Sequence, residues 1–188
     1  MGMPVSKVPT TADELEAIPE DGNRYEIIDG VLFVTPAPST LHQRTLLEFV
    51  ERLRPYSKAL GLELLVAPID VRASSATQVQ PDILVLPRFF EGRCTTRWEQ
   101  MSRLLLAVEI LSPSTKRLDR VVKRKLYLEQ GVREYWIVDI ESRSVGVWTA
   151  EHEAARVTRG TITWKPLTDH DALAVDLVAL FNEVHAGE

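Results

Sequence analysis

Residues Leu104–Leu111 are aliphatic throughout except for one charge, Glu109. A run of this kind fits a strand covered on both faces, the central position of a sheet in an α/β protein. A carboxylate inside it is costly unless it is paired, hydrogen-bonded or bound to a metal. Position alone leaves a structural ion pair and a metal site equally open. The run is far too short to span a bilayer, so no membrane association is expected.

The flanking patterns supply the rest of such a fold. Thr11-Ala-Asp-Glu14 reads as a capping box opening a short helix that Pro19 closes. Arg24–Asp29 and Val31–Thr35 flank Asp29-Gly30, which predicts a β-hairpin. Ser39 or Thr40 caps a helix to about Arg54, with Leu46, Phe49, Val50 and Leu53 as its apolar face. Leu62–Ala67 and Ile69–Arg72 read as strand pieces broken at Pro68, and Val79–Leu86 as one strand carrying Gln80-Pro81-Asp82. After an arginine-rich loop and the Leu104–Leu111 strand, Ser112–Thr115 caps a helix that ends near Gly131. Glu134–Ile140 and Val145–Thr149 are strands, followed by weaker strand signals at Val157 and Ile162 and a helix near Leu173–Val184. The order predicts an α/β fold, a mixed β-sheet flanked by helices with an N-terminal β-hairpin extension. A length of 188 residues fits one domain: an N-terminal segment 1–20, a core 21–150, and C-terminal strands and helix 151–188.

With 45% hydrophobic residues the chain can bury a real core. Its one cysteine, Cys94, provides neither a disulfide framework nor a cysteine zinc site, and no function is assigned to it. No apolar run follows the first charges, so no signal peptide is expected and a cytoplasmic location is. The net charge of −5 argues, taken alone, against a nucleic-acid partner. Its distribution changes that reading. Residues 1–30 hold seven acids against Lys7 and Arg24, whereas 111–134 hold seven bases against Asp119, Glu129 and Glu134. A locally basic face can meet phosphates, and a solvated helix surface is the plainer alternative.

Asp82 follows Pro81 at the head of the apolar stretch Ile83–Leu86. If that strand neighbours Leu104–Leu111, Asp82 and Glu109 converge on one hard cation such as Mg²⁺. Otherwise Glu109 pairs with a basic neighbour and Asp82 caps a turn. On the following helix Asp119, Lys123 and Tyr127 fall at i, i+4 and i+8, flanking the stripe of Leu118, Val121, Val122, Leu126 and Leu128. A lysine at the stripe's edge packs its stem on the core and points its ammonium into a cleft. Lys125 has Glu129 as its i+4 partner, so a surface pair accounts for it. Two carboxylates with a cation and a lysine suit phosphodiester hydrolysis, the lysine orienting water or balancing charge.

Six segments in register carry a family resemblance. They are Arg24–Gly30, Pro36–Ser39 with His42, Val79–Asp82, Val108–Thr115, Asp119-x₃-Lys123-x₃-Tyr127 and Gly131–Asp139. Together they resemble the PD-(D/E)xK nuclease superfamily and, within it, the Uma-type (Uma-two) restriction endonuclease family. The resemblance implies a restriction-endonuclease-like core and a Mg²⁺-dependent DNA endonuclease, with Mn²⁺ as a substitute. It makes Asp82 and Glu109 the metal-binding acids and, with Lys123, the catalytic residues. Leu111 stands where the motif lysine is usual, and the resemblance places that lysine on the next helix at Lys123. Glu26 belongs to the family pattern and joins the acidic cluster, unless it is a hairpin residue paired with an arginine. Tyr127 is a further candidate with its hydroxyl near the cleft. Lys116, Arg117, Arg120 and Arg124 are candidate nucleic-acid contacts. His42 matches the pattern too, but its place in the Leu46–Leu53 stripe favours a hydrogen-bonded core residue. Tyr135, Trp136 and Trp148 read as core aromatics. A homodimer is expected by analogy with enzymes that cut two strands. Leu111 and the acidic total feed the alternative, a nuclease-fold protein that binds nucleic acid or a protein partner without catalysis.

Overall fold

The computed structural model of the chain describes residues 8–18, 21–88, 97–98 and 101–186. The helix stop at Pro19 and the cysteine Cys94 lie outside these. Thr11 and Glu14 form the predicted capping box and open α1 (Ala12–Leu15). β1 (Arg24–Ile28) and β2 (Val31–Thr35) make the hairpin, with Asp29 and Gly30 at φ 52° and 77°. Positive φ at both positions is what a two-residue hairpin turn demands. Ser39 caps α2 (Thr40–Ala59), which continues past Arg54 because its buried face extends to Ser57. The Ser57 hydroxyl donates to the Leu53 carbonyl at 2.9 Å.

β3 (Leu62–Val66) and β4 (Asp70–Ser74) flank Pro68 as expected but enter different sheets. The stretch Val79–Leu86 is two strands, β5 (Thr77–Val79) and β6 (Ile83–Pro87). Pro81 has no N–H to give a ladder, so the chain leaves one sheet at Val79 and joins the other at Ile83. β7 (Arg97–Trp98) precedes β8 (Leu106–Ile110), every residue of which is buried. The next helix opens at Lys116, passes through a π turn, Leu118–Lys123, and becomes α3 (Arg124–Glu129); Gly131, φ 78°, follows its end. β9 (Tyr135–Asp139), β10 (Ser144–Thr149), β11 (His152–Thr158) and β12 (Thr161–Trp164) come next. The helix expected from Leu173 starts only at Leu177. Residues Leu173–Asp176 form β13 against β12, and Asp176 then caps α4 (Leu177–His185) by accepting from the Val178 and Ala179 amides.

Among the described residues, β11-β10-β9-β8-β6-β3 form a six-stranded sheet and β2-β1-β5-β4-β7 a five-stranded one. β8 and β9 pair in parallel and the remaining pairs of the larger sheet are antiparallel, so that sheet is mixed. The period-2 alternation of β6, β8 and β9 builds two cores. Ile83, Val85, Leu106, Val108 and Trp136 face α2 and α4. Leu84, Leu86, Ala107, Tyr135 and Ile137 face the five-stranded sheet, the π turn and α3. The N-terminal hairpin is thus an arm of the second sheet, packed over the face that carries Asp82 and Glu109. No helix among the described residues is long and apolar enough to cross a membrane.

Leu106 is fully buried at the middle of β8. Leu106→Ala is expected to destabilise the fold by about 2–5 kcal/mol. Urea unfolding followed by circular dichroism checks this, as a lower midpoint with an unchanged slope.

Candidate active site

The two sheets are joined by Gln80-Pro81-Asp82, and the acidic residues gather around that joint. The pairing of Ile83 with Val108 brings Asp82 beside Glu109 on the same face of the larger sheet. The strands are neighbours, as their convergence requires. One Asp82 oxygen accepts from the Ile110 amide at 2.8 Å and meets His42 Nε2 at 3.1 Å. The other accepts from the Arg24 guanidinium at 3.0 Å. Burial resists ionisation of Asp82, but the His42 hydrogen bond, the Arg24 charge and the Ile110 amide outweigh it and hold the carboxyl at about 2.

Lys123 is 1% exposed, so the position at the edge of an apolar stripe becomes a fully buried one. Its ammonium lies 2.8 Å from Glu26 Oε1, 3.0 Å from Glu109 Oε1 and 3.7 Å from Asp119 Oδ1. Glu26 also accepts from the Gln80 amide at 2.7 Å, so its partners are a lysine and the sheet joint; of the two alternatives, it joins the acidic cluster and does not pair with an arginine. Tyr127 donates its hydroxyl to Glu109 Oε1 at 3.0 Å. The π turn explains the change of face. It takes more residues per revolution than the about 3.6 of an α-helix, so residues four apart come closer to one above the other. Asp119 and Lys123 therefore point inward together, while Val121 turns out and is 54% exposed. The Arg124 amide, bonded to the Asp119 carbonyl, marks the wide turn.

The electrostatics are those of too many carboxyls around too few cations. Burial pushes Glu109 well above the usual carboxylate range; the Lys123 charge opposes this, while Asp119, Asp82 and Glu26 push the same way. Burial likewise raises Asp119 to about 6 against the pull of Lys123. Burial alone would lower Lys123, but Glu109, Glu26 and Asp119 override it and hold the amine more strongly protonated than an ordinary lysine. Asp119 Oδ1 is buried with no hydrogen-bond partner.

A cleft of about 310 Å³ opens onto this cluster, and Glu26, Asp82, Glu109, Asp119 and Lys123 all line it. Arg24, His42 and Ser112–Thr115 line it as well. Tyr127 lies behind it, wholly buried. The four other basic candidates are elsewhere. Lys116 pairs with Glu141, Arg120 pairs with Asp139 at 2.6 Å, and none of Lys116, Arg117, Arg120 and Arg124 lines the cleft. Lys125 lies 3.8 Å from Glu129, the surface pair expected. Tyr135 and Trp136 are core aromatics and Trp148 is half-buried. His42 is buried and hydrogen-bonded as its stripe implies, yet its bond goes to Asp82. Arg24, His42 and Asp119 are the site residues that spacing alone did not assign. For Arg24 the signal was its place two residues before Glu26 on one strand face, and for Asp119 its i−4 relation to Lys123.

The family model Uma2, described as "Putative restriction endonuclease", matches residues 12–184. The chain belongs to the Uma2 family. A solved structure similar to this Uma2 chain is the "putative nuclease belonging to DUF820" from Anabaena variabilis ATCC 29413. The TM-score is 0.78 at 20% identity, covering 94% of this chain and 99% of that one, a likeness of fold. No curated protein matches the sequence. The restriction-endonuclease-like α/β fold expected from the Uma-type segments is the one observed.

Removing the lysine charge is expected to be costly because it leaves three carboxyls facing one another. Lys123→Met should destabilise the Uma2 protein by about 3–5 kcal/mol near neutral pH. The loss should shrink towards pH 5. Asp119 and Glu109, with raised pKa values, keep protons in the folded state that the unfolded chain has already released; the contribution of Asp119 falls as pH rises through about 6, and that of Glu109 falls as pH rises through its own raised pKa. Unfolding of both proteins at several pH values gives the comparison.

Proposed function

We propose that this Uma2 protein is a metal-dependent endonuclease that hydrolyses DNA phosphodiester bonds. The observation that carries the reading is the convergence of Asp82 and Glu109 on one cleft, with Lys123 at 3.0 Å from Glu109. Family membership and the nuclease-like fold support the reaction class.

The donor set fits a hard divalent cation. Four buried carboxyls face two permanent cations, Arg24 and Lys123, and the orphaned Asp119 oxygen lies in the same cleft. Among the described residues no group of three or more His, Cys, Asp or Glu side chains forms a ready-made cage. Mg²⁺ is held elsewhere by one or two carboxylates with water and substrate oxygens completing its shell, which matches Asp82 and Glu109. Asp82 and Glu109 would hold such an ion, and the chemistry it would supply when bound is Lewis-acid polarisation of a phosphate and acidification of water.

The chain's own residues prepare that step. Arg24, His42 and the Ile110 amide keep Asp82 ionised and fixed in one orientation. Tyr127 and Lys123 both bond to Glu109 Oε1 and restrict that carboxylate. With Glu26, Glu109 and Asp119 around its ammonium, Lys123 has its donors engaged within the protein. Its part is to balance charge and align Glu109, and it takes the place that Leu111, a buried core residue, leaves without a lysine.

Metal-stimulated nicking of plasmid and linear DNA is the expected activity, lost in Asp82→Ala and Glu109→Ala. Tyr127→Phe, which only loosens Glu109, should retain activity reduced by about 10–100-fold. Equal background nicking by wild type and the two alanine variants would replace this reading with a non-catalytic nuclease-fold binder, the alternative that Leu111 favours.

A further inference from the structure

The helix that carries Asp119 and Lys123 borders a second cleft on its other flank. Arg120 and Arg124, each one residue along from a cluster residue, line a space of about 510 Å³ over β9, β10 and β11. Helix α3 covers only part of that sheet face. Gly146, between Ile137 and Val157 in the register, has no side chain and so makes room on the floor for the Trp148 ring, and Val157 is exposed. The Trp148 ring lies across Gly146, so close that a Cβ there would sit 2.6 Å from it. This places a half-buried indole in the lining of the cleft.

The charge of the cleft is one-sided. Arg120, Arg124 and Arg159 line it against Asp139, which Arg120 already neutralises at 2.6 Å. Arg124 has no ion-pair partner among the described residues. Arg159 gives its Nε–H to the Ser142 carbonyl at 3.2 Å, leaving its charge uncompensated by any described carboxylate. Ser142 and Ser144 stand on the same rim. Two uncompensated guanidiniums beside an aromatic ring, on a protein of net charge −5, select an anionic ligand that also offers a flat ring. A nucleic-acid strand has both, phosphates for the arginines and bases for stacking.

We propose that this cleft binds a nucleic-acid strand, with Arg124 and Arg159 on its phosphates and a base against Trp148. It would hold DNA beside the catalytic cleft, on the opposite flank of one helix. The inference rests on the DNA-nuclease reading for its biological sense, but binding here needs no metal and no cleavage.

The test is fluorescence anisotropy of a labelled single-stranded oligonucleotide titrated with the full chain in EDTA at low salt. Saturable binding is expected, undiminished in Asp82→Ala. Arg124→Glu with Arg159→Glu should weaken it by about tenfold or more and flatten the salt dependence by about two phosphate contacts. Arg124→Lys with Arg159→Lys should recover most of the affinity. Both pairs change surface side chains, and thermal melting verifies folding. Trp148→Leu should remove fluorescence quenching by the oligonucleotide. Binding unaffected by the charge reversal, or absence of metal-free binding, overturns the proposal even if metal-stimulated cleavage is intact. Occupancy of the cleft by a second copy, seen as charge-reversal-sensitive dimerisation without oligonucleotide binding, overturns it too. Oligonucleotide binding at this cleft with no cleavage in any divalent metal upholds it and sinks the nuclease reading instead.

Discussion

One buried ammonium ties the layers of this protein together. Lys123 reaches from the π turn to Glu26 on the five-stranded sheet and to Glu109 on the six-stranded sheet, at 2.8 Å and 3.0 Å. An isolated charge in such a place would be expelled or neutralised. Here each partner is itself buried, so lysine and carboxyls are tolerated only together. Glu26 is also bonded to the Gln80 amide, and Asp82 to the Ile110 amide, so the joint between the sheets is stitched by the same acids that line the cleft.

The arrangement is poor as a stability device and good as a site. Replacing a buried ionic cluster by apolar residues of similar volume is often neutral or stabilising. Glu109 and Asp119 are held uncomfortably, raised in pKa by burial and by neighbouring carboxyls, and one Asp119 oxygen has no hydrogen-bond partner. Such unrelieved charge concentrates at functional sites, where stability is given up for a specific chemistry. The π turn belongs to the same economy of structure: a local departure from the α-helix that brings Asp119 and Lys123 to one side.

Much of this was legible in the sequence. The aliphatic run around Glu109, the Asp29-Gly30 turn and the Thr11–Glu14 box report local physics, and each appears where the residues put it. The pairing of Asp82 with Glu109 needed only that two apolar strands be neighbours. What failed to show were features set by tertiary context. A helical wheel of fixed period placed Val121 inside and Lys123 at an edge, because nothing in Leu118–Lys123 announces a π turn. Val79–Leu86 read as one strand because its hydrophobicity is continuous across Pro81, while the break serves two sheets. His42 sat in an apolar stripe, and only the approach of Asp82 from another strand gives its ring a polar partner.

Tertiary context decides the meaning of the net charge as well. Its excess lies in the first thirty residues, yet the acids that matter most are buried and the bases of 111–134 divide between Lys123 inside and a surface flank outside. Lys123 is central to the site as a charged, carboxylate-locked group. Nuclear magnetic resonance of ¹⁵N-labelled lysine side chains measures this across a pH titration. The Lys123 ammonium signal should persist above the ordinary lysine pKa of about 10.4, after the exposed lysines have lost their protons. Conversion of Lys123 to the neutral amine before the exposed lysines would contradict the account.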